Sequence, residues 1–390
     1  MKPFLAVASL AALLAVATPA RADFASCLAS LRSDASAKGV SEQTIVAAFD
    51  KLQPDPKVLE FETNQPEFKT PIWDYMAGLV DDERVADGKA AMAREAGALA
   101  KAEARFGVDR HVLAAIWGVE SNFGQDMGGR PLVQSLATLA CQSESRPDYY
   151  RGELMATLKI ADRGDIPLDK LNGSWAGAFG QTQFMPSTFL RLAVDLDGSG
   201  RDIVDNPAAA LGSTANYLAK SGWRTGEPWG FEVKLPDGYS GPSGRKAKAP
   251  MSSWAARGIK RVDGRPLGDG DAGLLLPAGA EGPAFLVTHN FDAIYSYNAA
   301  ESYTLAIAIL AQRLAGGPGI VTPWPTDDPG LSRAERRELQ ALLAKHGYDV
   351  GAPDGAIGNK TKTAIADFQG KNGMTVDGRA SVKVLEALRR

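Results

Sequence analysis

From residue 23 to about residue 220 apolar positions recur at helical spacing, and Gly, Pro and Asn break the run into helix-sized stretches rich in Ala and Leu. A mainly helical body is predicted there. Between about 224 and 283 Gly and Pro dominate, with short β-like runs such as FEVKL and, just beyond, AFLVTHN, so a small sheet or extended loops sit beside the helices. Residues 301–314 return to helix. GGPGIVTPWPTDDPG at 316–330 reads as a Pro/Gly linker that gives some freedom between the parts it joins. Residues 331–390 form a second unit, with two Asp-Gly turns and a helix whose apolar side carries Ala364, Ile365 and Phe368. The predicted class is mainly α, with a small β element that makes it α+β overall.

The first 22 residues carry a different signal. Lys2 is a short positive region, Phe4 to Ala17 a hydrophobic stretch, and Ala20-Arg21-Ala22 a small-x-small site, which together read as a secretion signal cleaved between Ala22 and Asp23. Export to the periplasm is the expectation. The apolar stretch is short for a membrane span, and the mature chain shows no run of transmembrane length. Cys27 follows FAS, a poor match to a lipid-attachment site. In an oxidising compartment Cys27 and Cys141, the two cysteines of the chain, suggest a disulfide that pins the N-terminal segment, with two inert buried thiols as the alternative. His111, His289 and His346 do not form a spaced metal-binding set.

Composition narrows the function further. With 390 residues, 45% hydrophobic and 23% charged, the chain is an ordinary globular one with room for a sizeable core. Its formal charge of -3 becomes -5 once Lys2 and Arg21 leave with the signal, so no basic field draws in nucleic acid.

The chemistry centres on one acid. In VDRHVLAAIWGVESNFG, Leu113, Ile116 and Trp117 follow helical spacing and Glu120 continues the same stripe, so its carboxylate points where the packing points. No Lys or Arg lies one turn away. Desolvation then raises the pKa and keeps a proton available near neutral pH, unless Glu120 is a rim carboxylate that caps a helix or pairs with a distant arginine. In a second segment, NGSWAGAFGQTQFMPSTF at 172–189, small residues let the backbone approach a ligand or another chain closely. Gln183 and Phe184 follow. An amide beside an aromatic ring suits a sugar, which offers polar edges and an apolar face.

These two segments, followed by YSYNAAESY at 295–303, resemble the lytic murein transglycosylase B family. Three motifs in order over roughly 200 residues make a chance match improbable. The resemblance implies a lysozyme-like catalytic domain over 23–315 and a substrate of peptidoglycan glycan strands, with no cofactor required. It also implies a reaction in which the muramic acid C6 hydroxyl attacks its own anomeric carbon and leaves a 1,6-anhydro end. Glu120 is then the sole acid and base. By the same resemblance Ser174 and Asn298 orient the acetamido group, Gln183, Phe184, Tyr297 and Tyr303 contact substrate, and Tyr75 in PIWDYM lines the cleft. Where the family often has Met, this chain has Phe179. Asp126 and Glu144, the nearest candidates for a second carboxylate, lie in polar or Gly-rich stretches and read as solvated or capping groups. A muramidase that admits water and a non-catalytic wall-binding protein are the rival readings.

Two further segments carry their own expectations. In DLDGSGRDIVD at 195–205, Asp195, Asp197 and Ser199 alternate as in an EF-hand loop, with the Arg201 backbone oxygen and Asp205 completing a candidate shell for structural calcium. Asn206 stands where a Glu is usual, and a metal-free Asp/Gly turn is the alternative. Residues 331–390 resemble the small helical peptidoglycan-binding domain of many wall enzymes; a helical bundle for dimerisation is the alternative. Other cell-wall enzymes are candidate partners.

Overall fold

A computed structural model describes residues 24–63 and 70–390. The secretion signal and its cleavage site lie outside the described residues. The helical body holds two cores that share one wall.

The first core is built by α1 (Phe24–Ala37), α2 (Glu42–Phe49), α3 (Lys57–Thr63), α8 (Leu132–Gln142), α9 (Pro147–Asp162) and α10 (Pro186–Leu192). Cys27 of α1 and Cys141 of α8 are joined in a disulfide, with Cα atoms 5.8 Å apart. The second core gathers α4 (Ile72–Leu79), α5 (Asp82–Arg94), α6 (Ala96–Phe106), α11 (Pro207–Lys220), α13 (His289–Tyr295) and α14 (Glu301–Leu314) around α7 (Arg110–Ser121). Every residue of α7 from Val112 to Gly118 is buried, so the helix is central and not amphipathic. Asp109 starts it by accepting the His111 N–H at 2.7 Å.

A two-residue ladder pairs β1 (Arg130–Pro131) with β2 (Asn172–Gly173) at the edge of the body. The predicted β element is a five-stranded antiparallel sheet in the order β4-β6-β7-β3-β5, from β3 (Gly230–Lys234), β4 (Ala249–Pro250), β5 (Lys260–Arg261), β6 (Asp271–Leu275) and β7 (Ala284–Val287). Along β7, Phe285 and Val287 join the helical core, while Ala284 and Leu286 face a satellite core with Trp254 of α12 (Met251–Ala256). Burial on both faces explains why β7 reads as an unbroken apolar run.

The linker is not free, contrary to the expectation from its composition. The buried Glu232 carboxylate of β3 accepts the Val321 and Thr322 N–H groups at 2.8 and 2.7 Å, and Gln312 donates to the Pro318 carbonyl at 2.8 Å. Pro and Gly there fit the chain along a fixed path.

The C-terminal unit packs α15 (Arg333–Lys345), α16 (Asn359–Lys371) and α17 (Val382–Leu388) around Leu339, Leu343, Ile365, Phe368 and Leu385. A buried glutamine holds each Asp-Gly turn. Gln340 donates to Asp354 at 3.0 Å and accepts from Gly355 N at 2.7 Å; Gln369 donates to Asp377 at 2.7 Å and accepts from Gly378 N at 2.9 Å. Four arginines of this unit then face the helical body. Arg379 grips Asp74 at 2.6 and 2.7 Å, Arg336 donates to the Asp74 carbonyl at 3.3 Å, Arg337 pairs with Glu83 at 2.6 Å, and Arg333 pairs with Asp81 and Asp87, both at 3.1 Å.

Candidate active site

Glu120 lies in the last turn of α7, partly covered and, among the described residues, without an ionic partner. Its surroundings differ from those of the other covered glutamates. Glu153 accepts the Ser187 N–H and hydroxyl at 2.9 and 2.7 Å, and Glu232 binds the linker backbone, so each is a structural acceptor. Among the described residues Glu120 receives one donor, the Tyr303 hydroxyl, on Oε1. Burial lifts its pKa from 4.5 to about 7, against the smaller opposing effect of that hydrogen bond. Tyr303, on the first turn of α14, is 3% exposed, and burial and then the nearby Glu120 push its own pKa well above 10. It therefore stays a donor, and the Glu120 proton resides on the other oxygen.

A half-titrated acid near neutrality sets a pH dependence. If the protonated form is the working one, activity is full below about pH 6 and falls about tenfold per unit well above pH 7. A pH profile of kcat/KM whose falling limb is displaced far from 7 would contradict this assignment of the acid.

The backbone after Glu120 is unusual. Asn122, Phe123 and Gly124 have φ of 49°, 60° and 84°, three left-handed residues in succession, and the first two cost about 1–2 kcal/mol each. Their neighbours hold them there. The Phe123 ring meets Trp117 edge-on at 5.7 Å and fills the space beside Gly118, where a Cβ would lie 2.5 Å from the ring. The Ser121 hydroxyl accepts Gly124 N–H at 2.9 Å and donates to the Gln181 carbonyl, which ties the helix end to the Gly-rich segment.

That segment folds back on itself before Gln183. Phe179 and Phe184 exchange two backbone hydrogen bonds at 3.0 Å, and a Cβ on Gly173 would lie 2.1 Å from the Ala178 carbonyl. The small residue at Gly173 serves the chain's own approach there. Ser174 closes the same turn, its hydroxyl accepting Ala178 N–H at 3.0 Å and its N–H donating to Ala178 at 2.7 Å. Gln183 adopts φ 51° and donates its amide to the Met127 and Gly180 carbonyls at 3.0 and 2.9 Å, which leaves Oε1 as its remaining acceptor.

The aromatic residues divide. Phe184 is 2% exposed and packs against Tyr217 and Tyr297, with ring centroids 6.1 and 5.9 Å away, so its ring supports the site and offers no face to a sugar. This corrects the expectation of a substrate contact. Tyr297 is only partly covered and donates to the Thr182 carbonyl at 2.7 Å, while Asn298 is exposed on the loop before α14. Tyr75 of α4 is partly covered and packs against the second core, to which Tyr303 also belongs. Asp126 is exposed and caps Gly128 N at 3.4 Å, and Glu144 is exposed on the loop between α8 and α9. Neither contributes to the Glu120 shift.

The 195–205 loop does not assemble the expected shell. The Asp205 carboxylate is taken by Lys170, and the Arg201 side chain turns away to clamp Asp165 at 3.1 and 2.6 Å. Asn206 spends its oxygen on Ala208 N at 2.8 Å, capping α11, and its amide on Ser199 at 2.6 Å. Asp195 and Asp197 each cap their own turn. With Asp205 engaged, the Asp195 and Asp197 carboxylates, the Ser199 hydroxyl and the Arg201 backbone oxygen remain of the expected shell, against the about six to eight oxygens that calcium takes. Among the described residues no group of three or more acidic, His or Cys side chains could hold a metal.

Sequence reasoning missed Ser121, Asn122, Arg84 and Arg333. The first two stand inside the WGVESNFG motif. The two arginines gave no local signal.

Comparison with known proteins places this geometry. Residues 332–388 match a peptidoglycan binding domain. The membrane-bound lytic murein transglycosylase B of Escherichia coli strain K12 is 33% identical over 246 residues, 62% of this chain and 66% of that relative's length. A crystal structure of SltB3 from Pseudomonas aeruginosa in complex with NAG-anhNAM-pentapeptide is 45% identical with a TM-score of 0.76, covering 95% of this chain and all of that one. The Escherichia coli lytic transglycosylase Slt35, solved in complex with bulgecin A, is 31% identical over 74% of this chain and 92% of its own, with a TM-score of 0.65. A further structure of Slt35 contains calcium. The Transglycosylase SLT domain matches residues 23–312, and the chain belongs to that family.

Proposed function

We propose that this chain is a peptidoglycan lytic transglycosylase that cleaves the β-1,4 bond between N-acetylmuramic acid and N-acetylglucosamine, with Glu120 as sole acid and base. The observation that carries this reading is a covered carboxyl group with a pKa of about 7, held by Tyr303 on one oxygen and, among the described residues, with no second carboxylate acting on it. A hydrolase of ordinary type needs that second acid.

The steps follow from one proton. The Glu120 carboxylic acid protonates the glycosidic oxygen, the bond from that oxygen to C1 breaks, and the N-acetylglucosamine end leaves as an alcohol. The resulting carboxylate takes the proton of the muramic acid C6 hydroxyl as that oxygen bonds to C1. Glu120 is thereby restored, and no water is consumed. Ser174 and Asn298 are proposed to orient the acetamido group, Gln183 Oε1 to accept a sugar hydroxyl, and Tyr75 and Tyr297 to line the groove. The complex of SltB3 with an anhydro-muramoyl peptide supports the same product here. The secretion signal supports work in the periplasm, and no described helix is long and apolar enough to cross a membrane. The C-terminal unit would bind the wall and raise the local concentration of glycan. Structural calcium at 195–205 draws support only from Slt35, since the donor set in this chain is incomplete.

Mass spectrometry of fragments released from purified sacculi tests the reading. Anhydro-muramoyl ends are expected. Reducing ends would make the protein a muramidase, and binding without release would make it a non-catalytic wall protein.

A further inference from the structure

The helix that carries Glu120 is completed by the other domain. At its C-terminal end Asn122 Oδ1 is 3.0 Å from Arg333 Nη1 and 3.5 Å from Arg84 Nη1. Arg84 is spent elsewhere: the same nitrogen donates to the Gly118 carbonyl, and 3.5 Å is the limit of a hydrogen bond. The close partner of Asn122 is thus Arg333, which opens α15 in the wall-binding unit. Its guanidinium has three appointments at once, with Asp81, Asp87 and Asn122. The two carboxylates balance the charges of Arg84 and Arg333, so two guanidinium groups are held under one helix end without net charge. Asn122 begins the run of left-handed residues that follows Glu120, a conformation that persists only where the surroundings determine it.

We propose that Arg333 is a positioning residue for Glu120, acting through Asn122, so that the peptidoglycan-binding unit forms part of the catalytic body as well as tethering it to the wall. The proposal rests on the function argued above. Arg suits the task because its planar fork reaches several acceptors in fixed directions, whereas a Lys ammonium is a single point charge. Arg337, whose partner among the described residues is the half-exposed Glu83, holds the same interface with no hydrogen bond to Asn122.

The test uses the full chain and a soluble GlcNAc–MurNAc tetrasaccharide, on which tethering to the wall has no bearing. Arg333→Ala is expected to lower kcat about tenfold with KM nearly unchanged, within the roughly hundredfold that misplacing a catalytic group can cost. Arg333→Lys keeps a charge beside Asp81 and is expected to lose kcat similarly; it carries the test if the alanine variant fails to fold. Asn122→Gly accepts the left-handed backbone but removes the acceptor, and adding Arg333→Ala to it should bring no further loss. Arg337→Ala should leave kcat as it is. The proposal is overturned if Arg333→Ala retains kcat, if Arg333→Lys restores it, if the Asn122 and Arg333 effects multiply, or if Arg337→Ala lowers kcat equally. Carboxyl NMR of Glu120 gives a readout independent of turnover. A displaced titration midpoint in Arg333→Lys supports positioning even in a chain that turns nothing over, in which case the functional reading alone fails, and an unmoved midpoint overturns the positioning role.

Discussion

Glu120→Gln is expected to lower turnover of sacculi by about 10²–10⁴-fold while the fold survives. The amide preserves shape and can still accept from Tyr303, but it cannot give up a proton to the leaving oxygen or take one from C6. Stability should move the other way. The folded-state pKa of Glu120 is raised from 4.5 to about 7, so its contribution is intact below pH 4.5 and is lost as pH rises through 7, where the covered group must ionise. Glutamine has no such ionisation. The variant should therefore melt no lower than the wild type at pH 8, and lower melting together with lost activity would point to a structural role for Glu120.

Removing the disulfide should have the largest effect on stability. Cys27 and Cys141 are 114 residues apart, and closing a loop of that size in the unfolded chain is worth about 4–5 kcal/mol on the chain-entropy account. The bridge fastens α1, whose buried side is Leu31 and Ala35, to α8 in the first core. Thermal unfolding of the oxidised chain against a Cys27→Ala/Cys141→Ala variant measures it. A midpoint lowered by several degrees is expected, with the Glu120 half of the body retained; equal midpoints would show that α1 is held by packing alone.

The segment around Glu120 was legible because its signal is local. An acid at the end of an apolar run is a conspicuous conflict between burial and charge. The role of Phe184 was not legible, since a ring beside a polar amide reads the same whether it faces a sugar or supports Tyr297. The sheet was seen only in part. β4 and β5 are two residues each, too short to show any alternation, and they are recruited by β6 and β3. The linker misled for a related reason: its composition permits freedom, and what removes it is Glu232, about 90 residues earlier in the chain. Asp205 belonged by spacing to a metal loop, yet Lys170 claims it from outside the motif. In each case the deciding partner is distant in sequence, and no periodicity records it.

The central claim is that one carboxyl group moves both protons and that water takes no part. Digesting sacculi in ¹⁸O-labelled water and weighing the new muramoyl ends tests it most directly. The account predicts ends one water lighter than a hydrolysed sugar and free of label. New ends that carry one ¹⁸O at the anomeric carbon would contradict it.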